Sequence, residues 1–170
     1  KRRKLRQAIN HCEKDLCEFG LVPREGVPEI LDELRQISET WLHAKGVTEK
    51  GFSLGYFDEA YLKQFPIAVV RQQGRLIAFA NVLEGAGKEE LSADLMRHLP
   101  EAPPGVMEYL FAELLLWGRQ EGYQWFNFGM APLSGIDNRH LSPIWNRTAN
   151  LIFRYGDHFY GFEGLRSYKE

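Results

Sequence analysis

The chain is poor in several features that commonly organise small proteins. It has only two cysteines in 170 residues, Cys12 and Cys17. Placed five apart on one expected helix, they diverge by about 140° around the axis, which does not suit a bridge. Two reduced thiols fit a cytosolic compartment. Histidines 11, 43, 98, 140 and 158 are scattered, and no Cys/His spacing matches a metal site, so no structural zinc is expected. Apolar runs are short: the longest candidate, 106–117, is interrupted by Glu108 and Glu113. A membrane helix needs roughly 20 apolar residues. The basic start is followed by no apolar stretch, so a signal peptide is not expected. Repeats, low-complexity tracts and an obvious linker are also lacking. Both ends are expected to be cuts from a longer protein.

What is present is a core. Hydrophobic residues make up 44% and aromatics 13% of the chain, enough for one globular domain over 1–170. The net charge of −2 is unevenly spread. Lys1, Arg2, Arg3, Lys4 and Arg6 open the chain with five cations, and the remainder carries 16 basic and 23 acidic residues. Cations at a helix start oppose the macrodipole, so either the helix continues upstream or an anion sits there. The cluster is a weak candidate phosphate contact, beside the plainer reading of a solvated helix end.

Periodicity gives the elements. Residues 3–19 read as a helix with Leu5, Ile9, Cys12, Leu16 and Phe19 on one face and Gly20 as its stop. Residues 28–43 read as a second helix, begun by Pro28, with Ile30, Leu34, Ile37 and Trp41 as its stripe. Short extended pieces follow at Phe52–Tyr56, Ile67–Arg71, Leu76–Leu83 and Glu90–Arg97. One helical turn is expected at Glu59–Gln64, and a hairpin turn at Gln72-Gln73-Gly74. Gly105–Glu121 is a long helix with a wide apolar surface. Trp125–Phe128 reads as a buried strand. Pro143–Tyr155 is expected to be helical, His158–Tyr160 extended, and Glu163–Glu170 the start of a closing helix. Two helices, an antiparallel meander, a central helix and another strand suggest an α+β or mixed α/β fold. The order is similar to that of acyltransferases of the N-acetyltransferase (GNAT) fold, a mixed, mostly antiparallel sheet flanked by helices, whose central strands splay apart around the reacting groups.

The candidate site residues follow from that order. Asp94 and Arg97 lie three apart, so a regular strand would point them to opposite faces. They share a site only if the strand bends or ends between them; otherwise they are separate surface charges. The loop 98–105, HLPEAPPG, precedes the long helix where CoA-dependent enzymes of this fold cradle pyrophosphate on backbone N–H groups. Here Pro103 and Pro104 remove donors and Glu101 repels phosphate, which counts against CoA. The loop NFGMAPLSG (127–135) offers Asn127, Met130 and Ser134 to a ligand, or is a structural turn. Glu163, Arg166 and Lys169 recur at helical spacing, as a salt-bridged surface or as a cationic clamp for phosphate. Tyr61 is a packing residue or a phenol reaching the site.

Three stretches carry a closer resemblance: YLKQFPIAVVRQQGRLIAFANV (61–82), ADLMRHLPEAPPGVMEYLFAELLLWGRQEGYQWFNFGMAPLSG (93–135) and FYGFEGLRSYKE (159–170). They resemble the C-terminal catalytic domain of bacterial aminoacyl-phosphatidylglycerol synthases, the phosphatidylglycerol lysyltransferases or multiple peptide resistance factors. The resemblance implies a GNAT-like unit, the second of two in the cytosolic part of a longer protein with an N-terminal membrane domain, at the cytoplasmic face of the bacterial cell membrane. It implies transfer of an aminoacyl group from aminoacyl-tRNA to a glycerol hydroxyl of phosphatidylglycerol. The product lipid is less anionic, which weakens attraction of cationic antimicrobial peptides. Exchange of one ester for another needs no ATP, metal or redox cofactor. It also implies that Asp94 and Arg97, from the DLMR motif, and Lys169, from the final YKE, serve the reaction. Tyr61, Asn127, Met130, Ser134, Glu163 and Arg166 then stand as substrate contacts, and the basic start as a tRNA contact. Three other readings remain open: a CoA-dependent N-acyltransferase, a tRNA-dependent peptidoglycan aminoacyl ligase, and a non-catalytic lipid- or tRNA-binding piece.

Overall fold

The computed structural model describes residues 2–49 and 56–128. All but Phe128 of these belong to one compact unit, Lys1–Asn127. The expected elements at Phe52–Tyr56, apart from Tyr56, and all those beyond 128 lie outside the described residues.

The first expected helix is two elements. Helix α1 spans Arg2–Lys14, and strand β1 spans Cys17–Val22. The chain reverses through Leu16, which adopts φ +58. Periodicity failed here because an apolar residue recurs at helical spacing on both sides of the break. Leu16 is in fact 63% exposed, and Gly20 is no helix stop but a strand residue opposite Val69. The cysteines are therefore not on one helix. Cys12 lies in α1 and Cys17 opens β1; both are buried free thiols.

Apart from β5, the remaining helices and strands expected within the described residues are found close to their expected bounds. Helix α2 runs Val27–Lys45 with Pro28 in its first turn, burying Ile30, Leu34 and Ile37. Helix α3 is a single turn, Glu59–Leu62, whose start is fixed by the Asp58 carboxylate accepting from the Tyr61 backbone N–H at 2.7 Å. Strands β2 (Ile67–Gln72) and β3 (Arg75–Glu84) form the hairpin. Its two turn residues, Gln73 (φ +51) and Gly74 (φ +81), both take left-handed backbone, as a type I′ turn requires. Strand β4 is Glu90–His98, helix α4 Val106–Gln120 and strand β5 Trp125–Asn127.

The sheet order is β1-β2-β3-β4-β5. The first four strands are antiparallel neighbours, and β5 joins β4 in parallel through the α4 crossover. This is the mixed, mostly antiparallel α/β sheet expected of a GNAT-like fold. Residues 67–70 and 76–82 are buried without alternation, so both faces of β2 and β3 must be covered. Helix α2 packs on β3 and β4; α4 packs on β2, β3 and β4, with α1 against it. Phe79, Leu95, Leu110 and Leu114, none of them solvent-accessible, make up the centre. Strand β5 differs from expectation. Trp125 is 71% exposed; among the described residues β5 pairs with β4 alone, over only three residues.

One glycine carries a helix crossing. Gly105, at φ +89, precedes α4, and a Cβ there would fall 2.5 Å from the Ala8 Cβ of α1. The permissive residue in HLPEAPPG thus lets α1 reach the start of α4.

Candidate active site around the β4 bulge

Strand β4 is not regular. Val82 pairs with Ala93 and Ala80 with Met96, so Asp94 and Leu95 together oppose the single residue Asn81. This is a β-bulge, with one extra residue in β4. It meets the condition the sequence set for Asp94 and Arg97. Arg97 lies opposite Phe79, two residues from Asn81 on β3 and so on the same face. The extra residue brings Asp94 into that neighbourhood, and its charge favours the protonated guanidinium of Arg97.

Asn81 holds the bulge. Its Oδ1 accepts from the backbone N–H of Asp94 at 3.1 Å and of Leu95 at 2.7 Å. These are the donors that a disrupted ladder would leave unpaired. Sequence reading passed over Asn81, yet a signal exists: it is the one polar side chain in the run LIAFANVL.

Tyr61 reaches the same place from α3. Its hydroxyl donates to Asp94 Oδ2 at 3.0 Å. Leu62, fully buried, anchors α3, and Glu59 ties it to Arg35 of α2. The Tyr61 ring meets Phe65 edge-on at 4.9 Å. Burial and then the Asp94 carboxylate push the phenol pKa up, while the Asn81 amide pulls it the other way. Tyr61 therefore holds its proton and offers it to Asp94.

Arg97 is held on three sides. Its guanidinium stacks on Trp41 of α2, 4.2 Å from the ring centroid. One Nη donates to Glu49 Oε1 at 3.2 Å and the other to the Met96 carbonyl at 3.0 Å. Only 12% of the side chain is exposed, and Nε is buried without a partner. Burial lowers its pKa and Glu49 opposes that, but an arginine remains charged throughout. Trp41 was expected only as part of an apolar stripe, and Glu49 not at all; nothing in their spacing relates either to Arg97.

Of the other expected contacts, only some fall on the described residues. Asn127 lies in β5 opposite Ser92, and its Nδ2 donates to Glu90 Oε1 at 3.2 Å. Arg3 and Arg6 are exposed on α1, whose first turn has no acidic residue; Arg2 and Lys4 lie on the same helix. Lys1, Met130, Ser134, Glu163, Arg166 and Lys169 lie outside the described residues. A shallow hollow of about 240 Å³ lies elsewhere, lined by Leu91, Leu115, Tyr123, Trp125 and Phe126. Arg119 is its one ionised group among the described residues. Among the described residues, no three His, Cys, Asp or Glu side chains gather as for a metal, and no helix is long and apolar enough to cross a membrane.

Comparison with known proteins bears on the family and the fold. Residues 1–170 match the family model described as phosphatidylglycerol lysyltransferase, C-terminal. The phosphatidylglycerol lysyltransferase of Bacillus subtilis is 41% identical over 98% of this chain, which covers 19% of that protein. That of a Staphylococcus epidermidis strain is 36% identical over 100% of the chain and 20% of its own length. The structure of L-PGS from Bacillus licheniformis superposes with a TM-score of 0.81 at 42% identity, over 99% of this chain and 51% of that one. The chain thus spans about a fifth of the curated relatives it matches. With its fold and its DLMR strand in that context, the chain belongs to the family of phosphatidylglycerol lysyltransferase C-terminal domains.

Proposed function

We propose that this chain is the acyl-transfer domain of a membrane-bound enzyme that moves an aminoacyl group from aminoacyl-tRNA to phosphatidylglycerol. The observation that carries the reading is the Tyr61–Asp94–Arg97 cluster, assembled by a bulge in a chain of this family. The acyl carbon forms a bond to a glycerol oxygen and loses its bond to the ribose oxygen. The glycerol proton ends on the ribose hydroxyl. One ester replaces another, so little driving force is required.

Such an exchange needs a proton acceptor near the attacking hydroxyl and positive charge near the developing oxyanion. Asp94 is the carboxylate for the first role, or for orienting the donor's α-amino group. Tyr61 keeps it in place. Arg97, clamped by Trp41 and Glu49, is a preorganised cation that need not reorganise during the reaction. Lys169, with Glu163 and Arg166, is assigned to the lipid phosphate. Asn127, Met130 and Ser134 complete the substrate contacts, and the basic start of α1 meets tRNA. The prolines at 103 and 104, and the approach of Ala8 to Gly105, speak for this donor over CoA.

In the complete protein these residues act at the cytoplasmic membrane face, where the first GNAT-like unit and a membrane domain adjoin them. The test is to incubate the complete protein with phosphatidylglycerol vesicles and a mixture of charged tRNAs. Mass spectrometry of the lipid should show an aminoacylated phosphatidylglycerol and so name the amino acid. Unmodified lipid with every charged tRNA would refute the reading.

A further inference from the structure

Asn81 and Ser38 are the two buried polar side chains of the described core. Asn81 has no accessible surface, in a strand whose interior, 76–83, is otherwise aliphatic and aromatic. Burying an amide there is unfavourable unless its groups are paired. Half of it is paired: two backbone N–H groups converge on Oδ1. Those donors also fix which way the amide lies, because Nδ2 in their place would set donor against donor. Nδ2 is thereby turned away from β4, and it is buried without a hydrogen-bond partner. The amide lies near enough to the Tyr61 phenol to weaken that group's hold on its proton.

We propose that Asn81 is a positioning residue for the transfer, its carbonyl holding the bulge that presents Asp94 and its amide orienting the Tyr61 hydroxyl toward the same carboxylate. The proposal rests on the ester-transfer reading above. Asn81 cannot touch a substrate, having no exposed surface, so it acts through its two neighbours. With a donor near the phenol oxygen, the low-energy direction for the phenol's own proton is Asp94 Oδ2. One amide thus sets the backbone that carries the carboxylate and the hydroxyl that steadies it. An aliphatic residue would leave two N–H groups of β4 unpaired, and a serine hydroxyl is too short to serve both neighbours.

The experiment compares two substitutions in the complete protein. Asn81→Ala removes both functions; Asn81→Asp keeps an acceptor for the bulge but loses the donor near Tyr61. Transfer to phosphatidylglycerol vesicles is measured as kcat and KM, folding by thermal melting. The Tyr61 hydroxyl is followed by the 13Cζ resonance of labelled tyrosine, assigned with Tyr61→Phe. Misplacement of a reacting group costs on the order of 100-fold in rate, so kcat of Asn81→Ala should fall about that far with KM within a few-fold. Asn81→Asp should stay folded, lose about tenfold in kcat, and titrate Tyr61 at higher pH than the wild type. Wild-type kcat and Tyr61 titration in Asn81→Asp would overturn the proposal. So would a loss in Asn81→Ala that merely follows its unfolded fraction. If the wild type transfers nothing to lipid, the functional reading fails instead, and the Tyr61 resonance still decides whether Asn81 governs that hydroxyl.

Discussion

Two bulges interrupt one sheet, and they are held in different ways. In the β2–β3 hairpin, Ile77 is the extra residue between Leu76, opposite Arg71, and Ala78, opposite Val70. Its side chain is buried, and its carbonyl accepts the backbone N–H of Leu99 at 2.8 Å. Backbone satisfies backbone there, and the Ile77 side chain itself serves only packing. In the β3–β4 pair, the irregular part of the ladder is held by a buried amide side chain, and the residues it displaces are Asp94 and Leu95. The first bulge bends the sheet near its tip. The second aims a carboxylate at a phenol and sets it near a guanidinium. A polar group inside an apolar strand sets this bulge apart from the first.

Substitutions can break this contrast. The largest effect on stability is expected at the structural bulge: Ile77→Ala removes buried aliphatic volume and should cost about 2–5 kcal/mol in denaturant unfolding. Transfer per folded molecule should stay at the wild-type level; a specific loss of rate would mean that both bulges serve the site. Gly105→Ala should come next, at about 1–3 kcal/mol, because a methyl at φ +89 meets Ala8 head-on. A melting temperature equal to the wild type would show that α1 does not rest on α4 as described. Trp41→Leu should cost less, about 1–2 kcal/mol, by removing the ring under Arg97. It should also lower the transfer rate, since the cation loses one of its three supports; an unchanged rate would detach Arg97 from the reaction.

The smallest expected effect concerns pH and sharpens the contrast from the side of the core. Burial pushes the Cys12 thiol from 9.0 to about 12, with Cys17 beside it adding to the rise. The folded protein keeps that proton where the unfolded chain releases it. The contribution is complete below pH 9 and declines as pH rises toward 12. Cys12→Val should flatten that part of the alkaline unfolding curve and leave stability near neutrality almost unchanged. Tyrosines with raised pKa values, Tyr61 and Tyr109 among them, should account for the slope that remains.

Much of this was readable from residues, for definite reasons. Helices α2 and α4 have apolar stripes over four turns or more, and the β2–β3 hairpin has a Gly in a position that demands left-handed backbone. Asp94 and Arg97 were visible as ionised residues at a strand end, and the DLMR context singled them out. Strand β1 was not visible, because Leu16 and Phe19 prolong the helical spacing of α1 across a reversal that only pairing with β2 enforces. The bulge was legible only as a requirement: residues three apart needed an irregular strand to meet. Asn81 was overlooked as one polar residue in a long apolar run, since its partners are backbone groups of β4 and leave no sequence pattern. Trp41 and Glu49 lie 56 and 48 positions from Arg97, and only tertiary packing brings them to it.

The most direct measurement of the central claim is the single-turnover rate of aminoacyl transfer to phosphatidylglycerol by the complete protein, wild type against Asp94→Ala. The bulge account predicts a loss of about 100- to 10,000-fold, with a melting temperature close to that of the wild type. Wild-type transfer by a folded Asp94→Ala protein would contradict it.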